Sequence, residues 1–295
     1  MIIIDVTIGR METIIFDGRR EAREREEKLK ARVAELKYPP RLGSVVFGED
    51  VASQLYTRLK MEAATRVGIE FDRADVSVND DLEDLEKAVR WLSQREDITG
   101  LMVQKPTKEQ WAGNSGQSPE DFEGWWARLT AQIDPRKDVD CLTRVNLMKI
   151  YEGKWTLLPA TVKAILSILE IANSGQWAVD GKVKATIIGR SELVGRPLAA
   201  VLERKGYKVA LCGSKTLDLA SKVGEAEVVV SATGVPGLIR GEWIKPGATV
   251  IDVGSPKAEV EFEAAVKRAG FITPVPGGVG PMTVISLLEN TMELL

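Results

Sequence analysis

The chain has 295 residues, of which 44% are apolar and 28% are charged, with a formal net charge of −3 and no histidine. This composition excludes a disordered chain and gives no electrostatic reason to expect nucleic acid or an anionic membrane as a partner. The two cysteines, Cys141 and Cys212, lie far apart and outside any CxxC pair, which argues against a zinc site in a chain without histidine.

The length exceeds that of one average domain and predicts two. No stretch is long and apolar enough to span a bilayer, so we expect a cytoplasmic protein. Near the N-terminus, the charged run GRREAREREEKLKAR predicts a helix with a solvated outer face and an inner face formed by Ala22, Leu29, Val33 and Leu36.

From residue 42 onward, short β-rich runs alternate with helical ones. Strands are expected within GSVVFG, IEFDRADVSV and ITGLMVQ, and helices around SQLYTRLK and from Asp81 to Gln94. This alternation predicts βαβ units and a parallel sheet.

The segment from Lys105 to Asp134 interrupts this alternation. The Gly, Ser and Asn residues in its middle predict a surface loop or an insertion. Trp125 and Trp126 are adjacent, so one helical face cannot hold both. They either pack the insertion on its own domain or anchor a lid or an interface.

After TVKAILSILEIAN, which predicts a hinge helix, the alternation starts again. Helices are expected from Val194 to Arg204 and near Leu217 to Val223. The five apolar strand candidates are VKATIIG, YKVALCG, AEVVVSATG, GATVIDVG and FITPVPGG. Their short connections predict a doubly wound, Rossmann-like parallel sheet of the nucleotide-binding type. The expected fold class is therefore α/β with two domains.

The segment IIGRSELVGRP follows a buried-strand pattern and opens a helix. Gly189 and Gly195 fall where a dinucleotide-binding loop approaches phosphates. Ser191 occupies the middle glycine position of GxGxxG, so a generic strand–turn–helix junction remains the alternative.

The end of the next strand bears on which dinucleotide is bound. An NAD site places a carboxylate there for the ribose hydroxyls, whereas this chain has Ser214 and Lys215. With Arg190 in the first turn, these groups supply charge and donors to a ribose phosphate and favour NADP. The alternative is that Arg190 and Lys215 are ordinary solvated surface charges.

A second constellation lies in the first half of the chain. Tyr56 and Lys60 are four residues apart and share one helical face. Gln104 ends the strand ITGLMVQ, where ligands bind in open parallel sheets, and Asp138 and Asp140 follow in a loop. A lysine drawn into such a cleft loses part of its affinity for a proton and becomes useful for proton transfer. Taken singly, Lys60 could equally reach solvent, Tyr56 could be a core aromatic and Gln104 could cap the strand.

Seven segments together resemble one enzyme family in the same order and over nearly the whole chain. The segments are SQLYTRLK with RVGIEF, GLMVQKP, KDVDCLTRVN, GRSELVGRP, SATGVPGLIRGEWIKPGATVIDVG and TPVPGGVGPMTVISLLENT. They resemble the bifunctional methylenetetrahydrofolate dehydrogenase/cyclohydrolases. The resemblance implies a cytoplasmic homodimer of one-carbon metabolism, with a part in purine biosynthesis. Such an enzyme oxidises methylenetetrahydrofolate with NADP and hydrolyses the methenyl product to formyltetrahydrofolate.

The resemblance also implies roles for individual residues. Lys60 is the implied catalytic lysine, Gln104 its hydrogen-bond partner, and Tyr56 a catalytic residue that stacks on the folate. Asp140 matches the aspartate that holds the pterin. Further substrate contacts implied by the resemblance are Pro276, Gly277, Gly278 and Val279. The implied cofactor contacts are Thr161, Gly189, Arg190, Ser191, Ser214, Thr233, Gly234 and Thr283. No metal is implied.

The chain departs from the family pattern next to these residues. Lys105 stands where Leu is usual, Cys141 replaces a Gly, and Gly213 replaces a His. The Pro-Cys-Thr-Pro motif appears as PATV at 159–162. We expect the Lys105 side chain to point away from Lys60 by strand alternation, and Cys141 to be a small packing residue, since no histidine can activate it.

The expected domains are a folate-binding catalytic domain over residues 1–149, completed by a C-terminal helix at 281–295, and an NADP-binding domain over 150–280. Two alternatives to the bifunctional enzyme remain at this point. One is a dehydrogenase without cyclohydrolase activity, and the other is a catalytically silent protein that binds folate or NADP.

Overall fold

The computed structural model describes residues 12–48, 51–115, 118, 121–173 and 182–295. They form two compact units. The N-terminal unit comprises Glu24–Ala160 with Leu287–Leu295, and the C-terminal unit comprises the residues up to Arg23 with Thr161–Ser286. None of the helices within the described ranges combines the length and apolarity that a membrane crossing requires.

The elements follow one another along the chain with the alternation expected of an α/β protein. The strands are β1 (Ile14–Ile15), β2 (Arg41–Phe47), β3 (Glu70–Val76), β4 (Gly100–Val103), β5 (Lys184–Ile188), β6 (Lys208–Cys212), β7 (Val228–Ser231), β8 (Thr249–Asp252) and β9 (Phe271–Ile272). The helices are α1 (Gly18–Ala34), α2 (Val51–Val67), α3 (Leu82–Gln94), α4 (Lys108–Ser115), α5 (Phe122–Thr130), α6 (Arg144–Glu152), α7 (Ala160–Ala172), α8 (Gly195–Arg204), α9 (Leu219–Glu225), α10 (Phe262–Val266) and α11 (Val279–Glu293).

The N-terminal unit contains a parallel sheet in the order β3-β2-β4. The central strand β2 is buried along all but its first residue, which explains its continuous apolar sequence. The strand order reverses at β2, because the chain first adds β3 on one side of β2 and then adds β4 on the other side. Ligand sites in open α/β sheets form at the carboxyl ends of the strands at such a reversal.

A short segment before helix α6 extends this sheet beyond β4. Leu101 forms a parallel bridge with Asp138, and the Leu101 N–H donates to the carbonyl of Lys137 at 2.6 Å. The chain that follows Asp138 therefore starts beside the carboxyl half of β4, and this pairing positions Asp140.

The segment expected to be a surface loop or an insertion contains two helices, α4 and α5, so the loop alternative is wrong. Trp111 on α4 and Phe122 on α5 are fully buried, and their ring centroids lie 5.5 Å apart. Trp125 packs against both rings and against Phe47 of β2. Because α5 is covered over more than one face, the adjacent Trp125 and Trp126 are both buried. Aromatic burial outweighs the local Gly, Ser and Asn content.

The C-terminal unit contains a six-stranded parallel sheet in the order β1-β9-β8-β7-β5-β6. The strand order reverses at β5, which lies between β6 and β7. This arrangement confirms the doubly wound parallel sheet predicted from the sequence, and it places the loops after β5 and β7 side by side at its carboxyl edge.

The short strand β1 is an element that the sequence did not reveal. Ile14 and Ile15 pair in parallel with Phe271 and Ile272 of β9. This pairing is the reason that the residues up to Arg23 belong to the C-terminal unit. The compact units therefore divide the chain at other places than the functional domains expected from the sequence.

We expect Trp111→Ala to lower the free energy of unfolding by about 3–5 kcal/mol, because it removes a fully buried ring of the aromatic cluster and leaves a cavity. Trp91→Ala is the matched control, since Trp91 is 60% exposed on α3. The control should cost about 0.5 kcal/mol or less. Urea denaturation followed by circular dichroism measures both values, and equal losses would contradict the packing described for the insertion.

Candidate active site

Helix α2 places Tyr56 and Lys60 one turn apart. The helix buries Ala63, Ala64 and Val67 against the N-terminal unit. Lys60 lies in the same buried environment with only 8% of its surface exposed, and Tyr56 is partly buried, which raises the pKa of its phenol. A buried lysine is uncommon unless its ammonium group has partners.

The partners of Lys60 come from strand β4 and the residue that follows it. The Lys60 Nζ donates to Gln104 Oε1 at 2.9 Å and lies 3.8 Å from the Met102 sulfur. The Gln104 backbone N–H donates to the Val45 carbonyl at 2.9 Å, which anchors Gln104 to the central strand. Sequence reasoning paired Lys60 with Gln104 and missed Met102, although residues two apart on a strand share one face.

Burial moves the pKa values of Lys60 and Asp140 toward neutral pH. Desolvation lowers the pKa of Lys60 from 10.5 to about 8, and the negative charge of Asp140 opposes part of that change. Desolvation raises the pKa of Asp140 to about 6. The N–H of Ala160, which donates to Asp140 Oδ1 at 2.7 Å, and the charge of Lys60 act in the opposite direction. The site thus combines a proton carrier that is only weakly basic with a carboxyl group that can accept or donate hydrogen bonds.

Asp138 is a structural neighbour of this site. Its carboxylate is completely buried and accepts hydrogen bonds from Leu142 N, Thr143 N and the Thr143 hydroxyl, all within 2.9 Å, and from Asn146 Nδ2 at 3.0 Å. These bonds hold the turn that begins helix α6. Asp140 departs from the same turn, so Asp138 orients the segment that carries it.

Cys141 lies in this turn in a left-handed backbone conformation, with φ of 51°. Its thiol is buried, and burial together with the charges of Asp138 and Asp140 raises its pKa strongly. A thiol held protonated in this way is a poor nucleophile, in line with the packing role expected from the sequence.

Lys105 has its partners on the insertion. Its Nζ lies 3.3 Å from Glu123 Oε2 and about 5 Å from the ring centroids of Phe122 and Trp126. The ammonium group of Lys105 therefore forms an ion pair with Glu123 of helix α5, whereas the ammonium group of Lys60 donates a hydrogen bond to Gln104.

In the C-terminal unit, the loop after β5 has the geometry of a phosphate-binding turn. Gly189 has φ of +114°, and a Cβ at this position would lie 2.1 Å from the Ala232 carbonyl oxygen. The turn is thus closed to any residue with a side chain. The Ser191 hydroxyl accepts hydrogen bonds from the N–H groups of Val194 and Gly195 at 3.2 and 3.4 Å, and so ties the turn to the start of helix α8.

Arg190 and Ser214 are both exposed at the carboxyl edge of the same sheet. The aliphatic part of Arg190 lies over Gly213, where a Cβ would approach Arg190 Cδ to 2.7 Å. Glycine at 213 therefore leaves room for the Arg190 side chain beside the end of β6, one residue before Ser214. This arrangement fits a phosphate between a guanidinium and a hydroxyl.

The remaining predicted cofactor and substrate contacts lie in the same unit. Thr233 and Gly234 follow strand β7, next to the Gly189 turn. Thr161 is the second residue of helix α7, and the Thr283 hydroxyl donates to the Val279 carbonyl within helix α11 at 3.2 Å. Pro276, Gly277 and Gly278 lie in the connection from β9 to α11, and Val279 is the first residue of that helix. Their roles toward ligands stay predictions.

The pKa of Lys60 predicts how stability changes with pH. The unfolded lysine titrates near 10.5 and the folded one near 8, so the unfolded state binds more protons between these values and stability rises with pH across that window. The urea midpoint of the wild type should therefore rise relative to that of Lys60→Met from pH 8 to pH 10. A difference that is constant with pH would contradict the burial of a titrating ammonium group.

Gly189→Ala should destabilise the protein more than Gly237→Ala. Both glycines have positive φ, but no atom lies within 4 Å of a Cβ built at Gly237. The control isolates the strain of the left-handed conformation, about 1–2 kcal/mol. Overpacking against Ala232 should add about 1–3 kcal/mol at Gly189. Thermal unfolding measures both, and equal costs would show that the turn can open.

Two family models together match most of the chain. Residues 16–140 match the model described as Tetrahydrofolate dehydrogenase/cyclohydrolase, catalytic domain, and residues 159–295 match that of its NAD(P)-binding domain.

Individual relatives agree with this match. The chain is 37% identical to the bifunctional protein FolD 1 of Salinispora arenicola, over 96% of this chain and 98% of that protein. It is 38% identical to the bifunctional protein FolD of Methanoculleus marisnigri, over 95% of each.

Among solved structures, the methylenetetrahydrofolate dehydrogenase-cyclohydrolase of Trypanosoma brucei, complexed with NADP and an inhibitor, superimposes with a TM-score of 0.85 and 34% identity, over 96% of this chain and 97% of that one. The bifunctional enzyme FolD of Campylobacter jejuni superimposes with a TM-score of 0.85 at 29% identity, over 96% and 98%. The chain belongs to the bifunctional tetrahydrofolate dehydrogenase/cyclohydrolase family.

Proposed function

We propose that the protein oxidises 5,10-methylenetetrahydrofolate with NADP and hydrolyses the 5,10-methenyl product to 10-formyltetrahydrofolate. The observation that carries the proposal is the buried ammonium group of Lys60, which donates a hydrogen bond to Gln104. It stands beside the membership of the chain in this family. A dehydrogenase alone, or a protein that only binds folate, needs no proton carrier with a lowered pKa. No observation favours either alternative.

The oxidation requires positioning more than acid–base chemistry. When bound, NADP supplies the acceptor for the hydride that leaves the methylene carbon. Asp140 holds the pterin through its donor nitrogens, and the Tyr56 ring stacks on the folate. The substrate is oriented by these contacts before the hydride leaves, and orientation alone can account for a large part of the rate.

Hydrolysis requires a proton carrier. Water adds to the methenyl carbon, the bond from this carbon to N5 breaks, one water proton ends on N5, and the other is released. Because its pKa is about 8, Lys60 can act in both protonation states. The neutral amine can accept a proton from the attacking water, and the ammonium group can then donate a proton to N5. Gln104 accepts from the ammonium group at 2.9 Å and fixes its direction. About a tenth of such lysines are neutral at pH 7.

One assay tests the proposed function. The purified protein is mixed with methylenetetrahydrofolate and NADP, and the absorbance of the methenyl product is followed as it forms and decays. We expect formation followed by decay. Formation without decay identifies a dehydrogenase alone, and the absence of formation contradicts the proposal.

Lys60→Met should reduce the hydrolysis of methenyltetrahydrofolate by at least about a hundredfold, because general acid–base catalysis is worth that much or more. The Kd for NADP should stay within twofold. Lys87→Met, an exposed lysine paired with Asp84 on helix α3, is the matched control and should retain both properties. Unchanged hydrolysis in Lys60→Met would remove Lys60 from the mechanism.

The structure offers a cradle that fits NADP. The Gly189 turn lets backbone approach a pyrophosphate without a side chain in the way, and helix α8 begins beside it. Arg190 and Ser214 provide a cation and a hydroxyl for the ribose phosphate. Strand β6 ends at Cys212 and Gly213 follows it, so no carboxylate stands at the end of this strand to repel the phosphate. We assign these residues to the cofactor, together with Ser191, Thr161, Thr233, Gly234 and Thr283.

Arg190→Leu should raise the Kd for NADP by about 10- to 150-fold, since a charge-assisted hydrogen bond to phosphate is worth about 1.5–3 kcal/mol. The Kd for NAD, which lacks this phosphate, is the internal control and should change by less than twofold. Isothermal titration with each dinucleotide measures both constants. An equal loss for the two cofactors, or a wild type that prefers NAD, would show that Arg190 does not read the phosphate.

The wider organisation is also part of the proposal. We assign folate binding and catalysis to residues 1–149 with 281–295, and NADP binding to 150–280. The separate catalytic and NAD(P)-binding family models support two functional domains. Pro276, Gly277, Gly278 and Val279 are assigned to the folate. A homodimer in the cytoplasm that feeds purine biosynthesis is implied by the resemblance, and sedimentation equilibrium measures the dimer.

A further inference from the structure

Glu259 is a buried carboxylate at the carboxyl edge of the six-stranded sheet. Only 2% of its surface is exposed, and among the described residues no lysine or arginine forms an ion pair with it. A buried charge without a counterion is costly unless hydrogen-bond donors surround it. The identity of those donors therefore indicates what Glu259 does.

The donors all come from the end of β7 and the turn after it. Glu259 Oε2 accepts from the Ser231 hydroxyl at 2.5 Å and from the Thr233 hydroxyl at 2.8 Å. The Thr233 N–H donates to both oxygens at 2.8 and 3.0 Å, and the Gly234 N–H donates to Oε1 at 2.6 Å. Five short contacts thus fix three residues, Ser231, Thr233 and Gly234, to a single side chain.

Glu259 is itself held in place from strand β8. The Asp252 carboxylate accepts from the N–H groups of Glu259 and Val260, each at 2.9 Å, and from Gly254 N at 2.8 Å. Asp252 and Ser231 are partners in the register of β7 and β8. The turn after β7 is therefore fastened to the neighbouring strand through two carboxylates in series.

These contacts also decide which groups of the turn remain for a ligand. The N–H groups of Thr233 and Gly234 already donate to Glu259, and the Thr233 hydroxyl donates to Glu259 while accepting from Val235 N at 3.1 Å. The turn can then meet a ligand through its carbonyl oxygens. Acceptors suit the ribose hydroxyls and the carboxamide of a dinucleotide and do not suit its phosphates.

We propose that Glu259 is a positioning residue for NADP: it holds the Thr233–Gly234 turn in the conformation that the cofactor binds and keeps the N–H donors of the turn away from the cofactor phosphates. The proposal rests on the proposed function, which assigns Thr233 and Gly234 to NADP. Glu259 acts through this turn and not by touching the cofactor.

The test uses Glu259→Gln, which removes the charge and turns one acceptor into a donor facing other donors. We expect the Kd for NADP to rise at least about tenfold. Hydrolysis of methenyltetrahydrofolate in the absence of NADP should stay within twofold of the wild type. Glu259→Asp, which keeps the carboxylate, should recover part of the affinity. Glu261→Gln is the matched control, since Glu261 lies two residues away, is half-buried, and contacts Arg240 and Gly241 instead of the turn.

A merely structural role gives a different pattern. If Glu259→Gln loses hydrolysis and NADP affinity in parallel, or binds NADP as tightly as the wild type, the proposal is overturned. Should Glu259→Gln fail to fold, Thr233→Val removes one of the five contacts, and an unchanged Kd in that variant also overturns it. Failure of the proposed function is separate, because it appears as a wild type without either activity.

Discussion

The contact between the Lys60 ammonium group and the Gln104 amide oxygen is the interaction on which the proposed chemistry depends. Helix α2 brings the lysine and strand β4 brings the glutamine, so the pair exists only when the three-stranded sheet and its crossover helix are in place. Removal from water is what makes the lysine useful. An exposed lysine stays almost fully protonated near pH 7 and cannot act as a base there. A lysine whose ammonium group has no hydrogen-bond partner would not remain buried.

The two units use the same rule of parallel sheets for different purposes. The strand order reverses at β2 in the N-terminal unit and at β5 in the C-terminal unit, and the predicted ligand contacts follow the carboxyl ends of the strands there. In the N-terminal unit this edge carries Gln104, and the segment that extends the sheet leads to Asp140. In the C-terminal unit it carries the Gly189 turn and the turn held by Glu259. Buried carboxylates recur at both edges, because Asp138 and Glu259 each fix a turn through backbone N–H groups.

Much of the fold was predictable because its strands are apolar and its helices amphipathic. Helix α3 was expected from Asp81 to Gln94 and begins one residue later, at Leu82. Strand β1 was missed because two isoleucines carry no periodic signal, and only their pairing with β9 makes them a strand. The insertion was misjudged because local composition favours a loop, whereas the helices form to bury Trp111, Phe122 and Trp125 together.

The same limits apply to the candidate site. The spacing of Tyr56 and Lys60 and the strand end at Gln104 could be read from the sequence. The role of Glu259 could not, since it depends on contacts with a turn 25 to 28 residues earlier in the chain. When the partners of a side chain are distant in sequence, no local sequence pattern marks that side chain. Only its burial and its contacts in the folded structure show its role.

The central claim is that Lys60 exchanges its proton near neutral pH. Its most direct test is an NMR titration of the folded protein with isotopically labelled lysine side chains, in which Lys60→Met assigns the signal of residue 60. We expect a midpoint near pH 8 for this signal, well below the ordinary lysine value of 10.5. A midpoint near 10.5 for Lys60 itself would contradict it.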